Sequence, residues 1–126
     1  KKTLLAAKSI GYSTGPSGVY VLTVFEKLGI AGEVKGKLKQ TPSGVYVGTL
    51  LANGEAEVGF QQIGELKRFE GIDYVGPLPG DLQQITVFAA GILTGAKQAD
   101  AAKALVKFIS APAAAAVYKK HGLEPN

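Results

Sequence analysis

The sequence predicts an α/β fold, and three observations carry that prediction. Short apolar runs of strand character alternate with stretches whose apolar residues recur at helical spacing. The hexapeptide Pro-Ser-Gly-Val-Tyr-Val occurs twice, at residues 16–21 and 42–47, each time leading into a helical stretch. Gly76-Pro77-Leu78-Pro79-Gly80-Asp81 then interrupts the pattern as the strongest breaker in the chain and a candidate hinge.

Taken in order, Lys1-Lys2-Thr3-Leu4-Leu5-Ala6-Ala7-Lys8 has the character of the last turns of a helix. With no methionine and no secretory signal at the start, a piece of a longer protein is expected. Residues 9–13 predict a short strand ending in hydroxyls. The first hexapeptide opens a helix to about Leu28, with Val21, Val24, Phe25 and Leu28 on one face and Gly29 as its stop. Residues 30–36 are a connection, and 35–40 a short strand whose lysines alternate outward along a protected or solvated edge. The second hexapeptide opens a shorter helix, Ser43 to about Ala52, although its Val and Thr content is unfavourable there. Strand 57–62, a short amphipathic helix over 63–70 and strand 72–75 precede the hinge. Beyond it, residues 84–93 are apolar enough for a buried strand. Residues 99–109 form a helix with Ala102, Leu105, Val106 and Ile109 on one face, Pro112 breaks it, and a last helix over 113–120 ends at His121-Gly122.

Composition bounds the function. A chain of 126 residues, 46% hydrophobic and 19% charged, folds as one domain or as a lobe with an appendage. The net charge of +4 is scattered, with no aromatic residues interleaved among the lysines, so a nucleic-acid surface is not indicated and mild attraction of small anions fits as well. The absence of cysteine excludes disulfides, thiolate metal sites and cysteine nucleophiles. No apolar run reaches the length of a membrane span. The one histidine, His121, is accounted for by a helix end. No Ser-His-Asp set, metal-spaced cluster, Walker or G-x-G-x-x-G motif is present, so neither an enzyme nor a metal or organic cofactor is predicted.

The repeat points instead to binding. Helix first turns carry unpaired N–H groups and partial positive charge, so two such starts converging on one cleft would hold an oxyanion with few charged side chains. The candidates are Ser13, Thr14, Ser17 and Gly18 at the first start and Ser43 and Gly44 at the second. Gln61 and Gln62 join them at the carboxyl end of a strand, where ligands of open α/β sheets lie. Plain capping by Ser-Gly, and amides that only satisfy loop backbone, are the alternative readings.

Glu-Lys-Leu-Gly (26–29), Asn-Gly-Glu-Ala-Glu-Val-Gly-Phe (53–60), the hinge, Ala-Lys-Ala-Leu…Phe-Ile-Ser-Ala-Pro-Ala-Ala (102–114) and Tyr-Lys-Lys-His-Gly-Leu (118–123) follow one another in an order that resembles a known family. It is that of the second half of type II periplasmic substrate-binding proteins, with similarity to the molybdate-binding proteins of ABC transporters. The resemblance covers nearly all of the chain. It implies a mixed sheet flanked by helices, with residues 1–79 as the second lobe, 80–84 as the hinge, and 85–126 as a strand and two helices returning to the first lobe. It further implies a periplasmic or extracytoplasmic component of an ABC importer that binds molybdate, tungstate or another oxyanion and meets the transporter's membrane subunits. In that family, helix-start N–H contacts fall on Ser17 and near Gly44. A tyrosine after the third strand falls on Gln62, an amide that suits another oxyanion or a small polar organic ligand. The same fold serves ligand-sensing domains of transcription regulators, the competing reading. Without the other half of the first lobe, the strand over 85–93 lacks partners, so self-association by exchange of the C-terminal segment is expected.

Overall fold

Three short strands, β1 (Ile10–Tyr12), β2 (Leu38–Gln40) and β3 (Val58–Phe60), form one sheet in the order β2-β1-β3 in the computed structural model, which describes residues 1–125. Both pairings are parallel, with Ile10 level with Leu38 and Val58, and Tyr12 level with Gln40 and Phe60. The mixed sheet expected from the sequence is therefore corrected to a parallel one among the described residues. The chain divides into two compact units, Lys1–Pro77 and a second from Leu78 on.

In the first unit the strand residues alternate in size, and that alternation assigns a helix to each face. Ile10, Tyr12, Val58, Phe60 and Leu38 share one face. They pack with Val21 and Phe25 of helix α2 (Pro16–Lys27), and with Leu4 and Ala7 in and beside helix α1 (Lys2–Ala6). Ile30 and Val34 complete this core, and the Phe25 and Phe60 rings meet edge to face at 5.8 Å. The opposite face is bare backbone at Gly11 and Gly59. A Cβ on Gly59 would stand 2.6 Å from Val47 Cγ1 and one on Gly11 3.0 Å from the same atom, so helix α4 (Val47–Ala52) lies directly on the strands. Helices thus cover both faces of a parallel sheet, the arrangement that parallel pairing requires.

Several predicted elements shift. Residues 30–36 are not a plain connection: helix α3 (Ala31–Val34) and a 3₁₀ turn (Lys35–Lys37) occupy them, which shortens β2 to Leu38–Gln40. The helix after β3 stops early, as α5 (Ile63–Leu66). The second hexapeptide does not open a helix at Ser43. Val45 N–H donates to Pro42 O at 3.1 Å and Gly44 has φ +80°, the geometry of a turn whose third residue needs a positive φ. Helix α4 begins only at Val47. Residues 72–75 form no strand, and Val75 is 99% exposed.

The second unit holds helix α6 (Ala99–Ile109), a 3₁₀ turn (Pro112–Ala114) and helix α7 (Ala115–Lys120), the last two slightly offset from the predicted helix. Residues 84–93 are not the buried strand expected. They make no ladder, and Ile85, Val87, Phe88 and Leu93 are exposed. A strand is defined by hydrogen bonds to a neighbour, and none is present among the described residues. No single helix among them is long and apolar enough to cross a membrane.

Helix α2 starts unusually close to β1. A Cβ on Gly18 would lie 1.7 Å from the Ser13 carbonyl oxygen, a clash with backbone that no rotamer relieves. Gly18→Ala is therefore expected to destabilise the fold by at least about 1–3 kcal/mol, the usual range for overpacking. Gly15→Ala, whose Cβ would meet only Ser13 Oγ at 3.8 Å, should be nearly neutral. Urea unfolding of the two variants checks the contrast.

Candidate functional site

Parallel strands place all their carboxyl ends at one edge of the sheet. In the order β2-β1-β3, the chain steps from β1 to one side and then crosses to the other, which leaves a crevice beside β1 where ligands of such sheets lie. A cleft of about 310 Å³ occupies this edge, lined by the segments that follow the three strands. The first contributes Ser13, Thr14, Gly15, Pro16 and Ser17, the second Ser43 to Tyr46, and the third Gln61, Gln62 and Glu65. Seven of the eight residues singled out in the sequence line it. The eighth, Gly18, does not: it is buried beneath, against the Ser13 backbone.

The first segment is the best-formed wall. Ser13 is only 7% exposed, and its Oγ lies 3.1 Å from Ser17 Oγ. Gly15 rather than a serine is the N-cap of α2, and no side chain caps that helix. Gly18 and Val19 both donate to Gly15 O (3.0 and 3.1 Å). Pro16 has no N–H, which leaves Ser17 N–H as the one first-turn donor without an acceptor among the described residues. The start of this twelve-residue helix thus offers one backbone N–H and, from the bonded hydroxyl pair, one free O–H. Thr14 adds an exposed hydroxyl.

The second wall differs from its expected form. Ser43 and Gly44 sit in the turn before α4, exposed, so they line the cleft as loop groups and not as a helix first turn. The N–H of Val47 at the true helix start is already taken, donating to Gln61 Oε1 at 2.7 Å. Gln61 therefore ties the third segment to the second, the backbone-satisfying role of the alternative reading. With Oε1 committed, its Nε2 has no protein partner among the described residues and remains a donor. Gln62 is half-buried and forms the N-cap of α5 without a side-chain bond.

Tyr46 and Glu65 line the cleft without having been singled out. The Tyr46 ring is fixed by an edge-to-face contact with Phe69 (5.9 Å) and by the Arg68 guanidinium 4.9 Å from its centre. Its signal was available in the second hexapeptide. Glu65 stands three residues after Gln62, in the first turn of α5. It is the single charged residue of the lining, and no lysine or arginine shares that lining. Among the described residues no group of histidine, aspartate or glutamate has the arrangement of a metal site.

The family described as bacterial extracellular solute-binding protein matches residues 2–124. An aconitate isomerase from Pseudomonas sp is 35% identical over 126 residues, covering 99% of this chain and 48% of that protein. The molybdate-binding protein ModA of Azotobacter vinelandii is 34% identical over 112 residues, covering 86% of this chain and 44% of that protein. The chain spans about half the length of the curated relatives it matches. No solved structure matches at a significant level.

The Gln61 tie has a measurable consequence. Gln61→Ala removes the acceptor for a helix-start N–H and is expected to cost about 1–2 kcal/mol, as loss of a cap does. Gln61→Glu keeps an acceptor and should retain most of the stability, so chemical denaturation of the pair separates capping from packing.

Proposed function

From the premise that this chain belongs to the family of bacterial extracellular solute-binding proteins, we propose that the cleft beside β1 captures a small anionic solute for delivery to an ABC importer. The observation that carries the reading is convergence. The segments after all three parallel strands meet at one cleft, whose lining holds the Ser13–Ser17 hydroxyl pair (one O–H of which is left to donate), Ser17 N–H and Gln61 Nε2 as neutral donors. Preorganised donors in a half-buried site hold an anion without the desolvation cost of a buried ion pair. A carboxylate and an oxyanion such as molybdate share the oxygen chemistry that these donors meet. The two relatives, named for aconitate and for molybdate, span that range.

On this reading residues 1–79 form one lobe, 80–84 the hinge and the remainder a segment of the opposing lobe, and the anion lies at one helix start and one turn. We read the function as binding rather than turnover because the matching family is described as solute-binding.

A thermal-shift panel on the full-length protein tests the site with molybdate, tungstate, sulfate, phosphate, aconitate and small hydroxy acids. A ligand that binds only the native state raises the melting temperature. At least one anion should do so and be recovered unaltered by NMR. Ser17→Ala should weaken its binding by about fivefold, the worth of one net hydrogen bond. An unchanged affinity would remove the Ser17 hydroxyl from the site, and an unchanged affinity in a folded Ser17→Pro variant, which lacks the N–H, would remove the first helix start.

Self-association is proposed for the chain of residues 1–126, through the exposed apolar residues of the 84–93 segment and Leu105 and Phe108 of α6. Light scattering at tens of micromolar should give more than the 13.0 kDa monomer mass. Val87→Lys with Phe88→Glu should return the monomer.

A further inference from the structure

We infer that Glu65 selects which anions the cleft accepts, favouring organic acids that carry a hydrogen-bond donor, a hydroxyl or ammonium, over bare oxyanions such as molybdate or sulfate. The inference rests on the reading of the cleft as an anion site. Glu65 is half-buried and lines the cleft from the first turn of α5. Its side chain has no ion pair or hydrogen bond among the described residues, where the one salt bridge joins Lys103 to Asp100. Arg68, three residues further on, lies over the Tyr46 ring at 4.9 Å and makes no ion pair with Glu65. No lysine or arginine lines the cleft.

A carboxylate so placed is an acceptor waiting for a donor. A first-turn acid complements a helix start wherever its side chain points, but that role does not require a place in the lining of a ligand cleft. A bare dianion held at Ser13 and Ser17 meets a like charge in the lining of the same cleft. An organic acid with a hydroxyl or ammonium satisfies both sides: its acid group takes the serine donors and its donor meets Glu65. Selectivity then comes from repulsion of the wrong ligand as much as from attraction of the right one.

Matched pairs test this on the full-length protein by titration calorimetry: lactate against propionate, malate against succinate, and aspartate, with molybdate and sulfate as bare oxyanions. The donor-bearing member of at least one pair should bind about tenfold or more tighter than its partner and than either oxyanion, a difference within reach of one charge-assisted bond. Glu65→Gln should narrow that gap, weakening the donor-bearing acid and tightening molybdate and sulfate. The wild-type pairs decide the question even where the variant is poorly folded. A wild type that prefers molybdate, pairs that bind equally, or a folded Glu65→Gln variant with the same order of affinities would each overturn the role of Glu65 and leave the anion site standing. Failure of every anion to bind would overturn the site and the inference together.

Discussion

The contact on which the first unit depends is backbone against backbone. Helix α2 begins so near the end of β1 that Gly18 rests on the Ser13 carbonyl, with no room for a side chain between them. That approach fixes where the helix starts and how it leaves the sheet. It thereby decides that Val21 and Phe25, one and two turns later, arrive over Ile10. It also buries Ser13 and brings its hydroxyl within 3.1 Å of Ser17. Packing and site share one cause: the glycine that seats the core also assembles the first wall of the cleft.

The other face of the sheet uses the same device with different residues. Gly11 and Gly59 leave the strands bare, and Val47 and Leu51 of α4 fill the space directly. A helix seated that closely brings its preceding loop, residues 43–46, to the carboxyl edge beside the end of β3. Gln61 then fastens the two with a single hydrogen bond. Because the donors at that edge are backbone N–H, hydroxyl and amide groups, the chain's net charge of +4 is a poor guide to the site. Lys35 and Lys39, at the β2 edge, are exposed and take no part in the cleft.

The two copies of Pro-Ser-Gly-Val-Tyr-Val show how much of this the sequence can carry. In the first, Pro16 is the first helical residue and its glycine is buried. In the second, Pro42 to Val45 make a turn with Gly44 exposed at φ +80°, and the helix begins with the final valine. Both final valines, Val21 and Val47, are buried; the apolar periodicity made the first legible, with Val24 and Phe25 on the same face. The first helix start was legible too, at Pro16, but the second was not, because a partner remote in sequence holds it: the Gln61 side chain fourteen residues on. Strand ends were legible, and they led to Ser13, Ser17, Gln61 and Gln62. Glu65 escaped because a glutamate in a first turn looks like an ordinary helix-start acid, and only the convergence of three loops puts it in the lining of the cleft.

Residues 84–93 mark the opposite limit. Their run of Ile, Val, Phe and Leu is continuous rather than alternating, the pattern of a strand covered on both faces. Yet pattern specifies only what a segment is suited to contact. The ladder that makes a strand belongs to two segments at once, and the second unit holds no other strand among the described residues. Helix α6 repeats the point: its amphipathic register over Ala99–Ile109 agrees with the prediction, while Leu105 and Phe108 on its surface remain exposed. Intrachain periodicity suffices for a helix, whose hydrogen bonds are local, and does not suffice for a strand. The same difference explains why the helices of this chain follow their sequence signals more closely than its strands do. It also identifies residues 84–93 as the place where a partner surface would change the structure most.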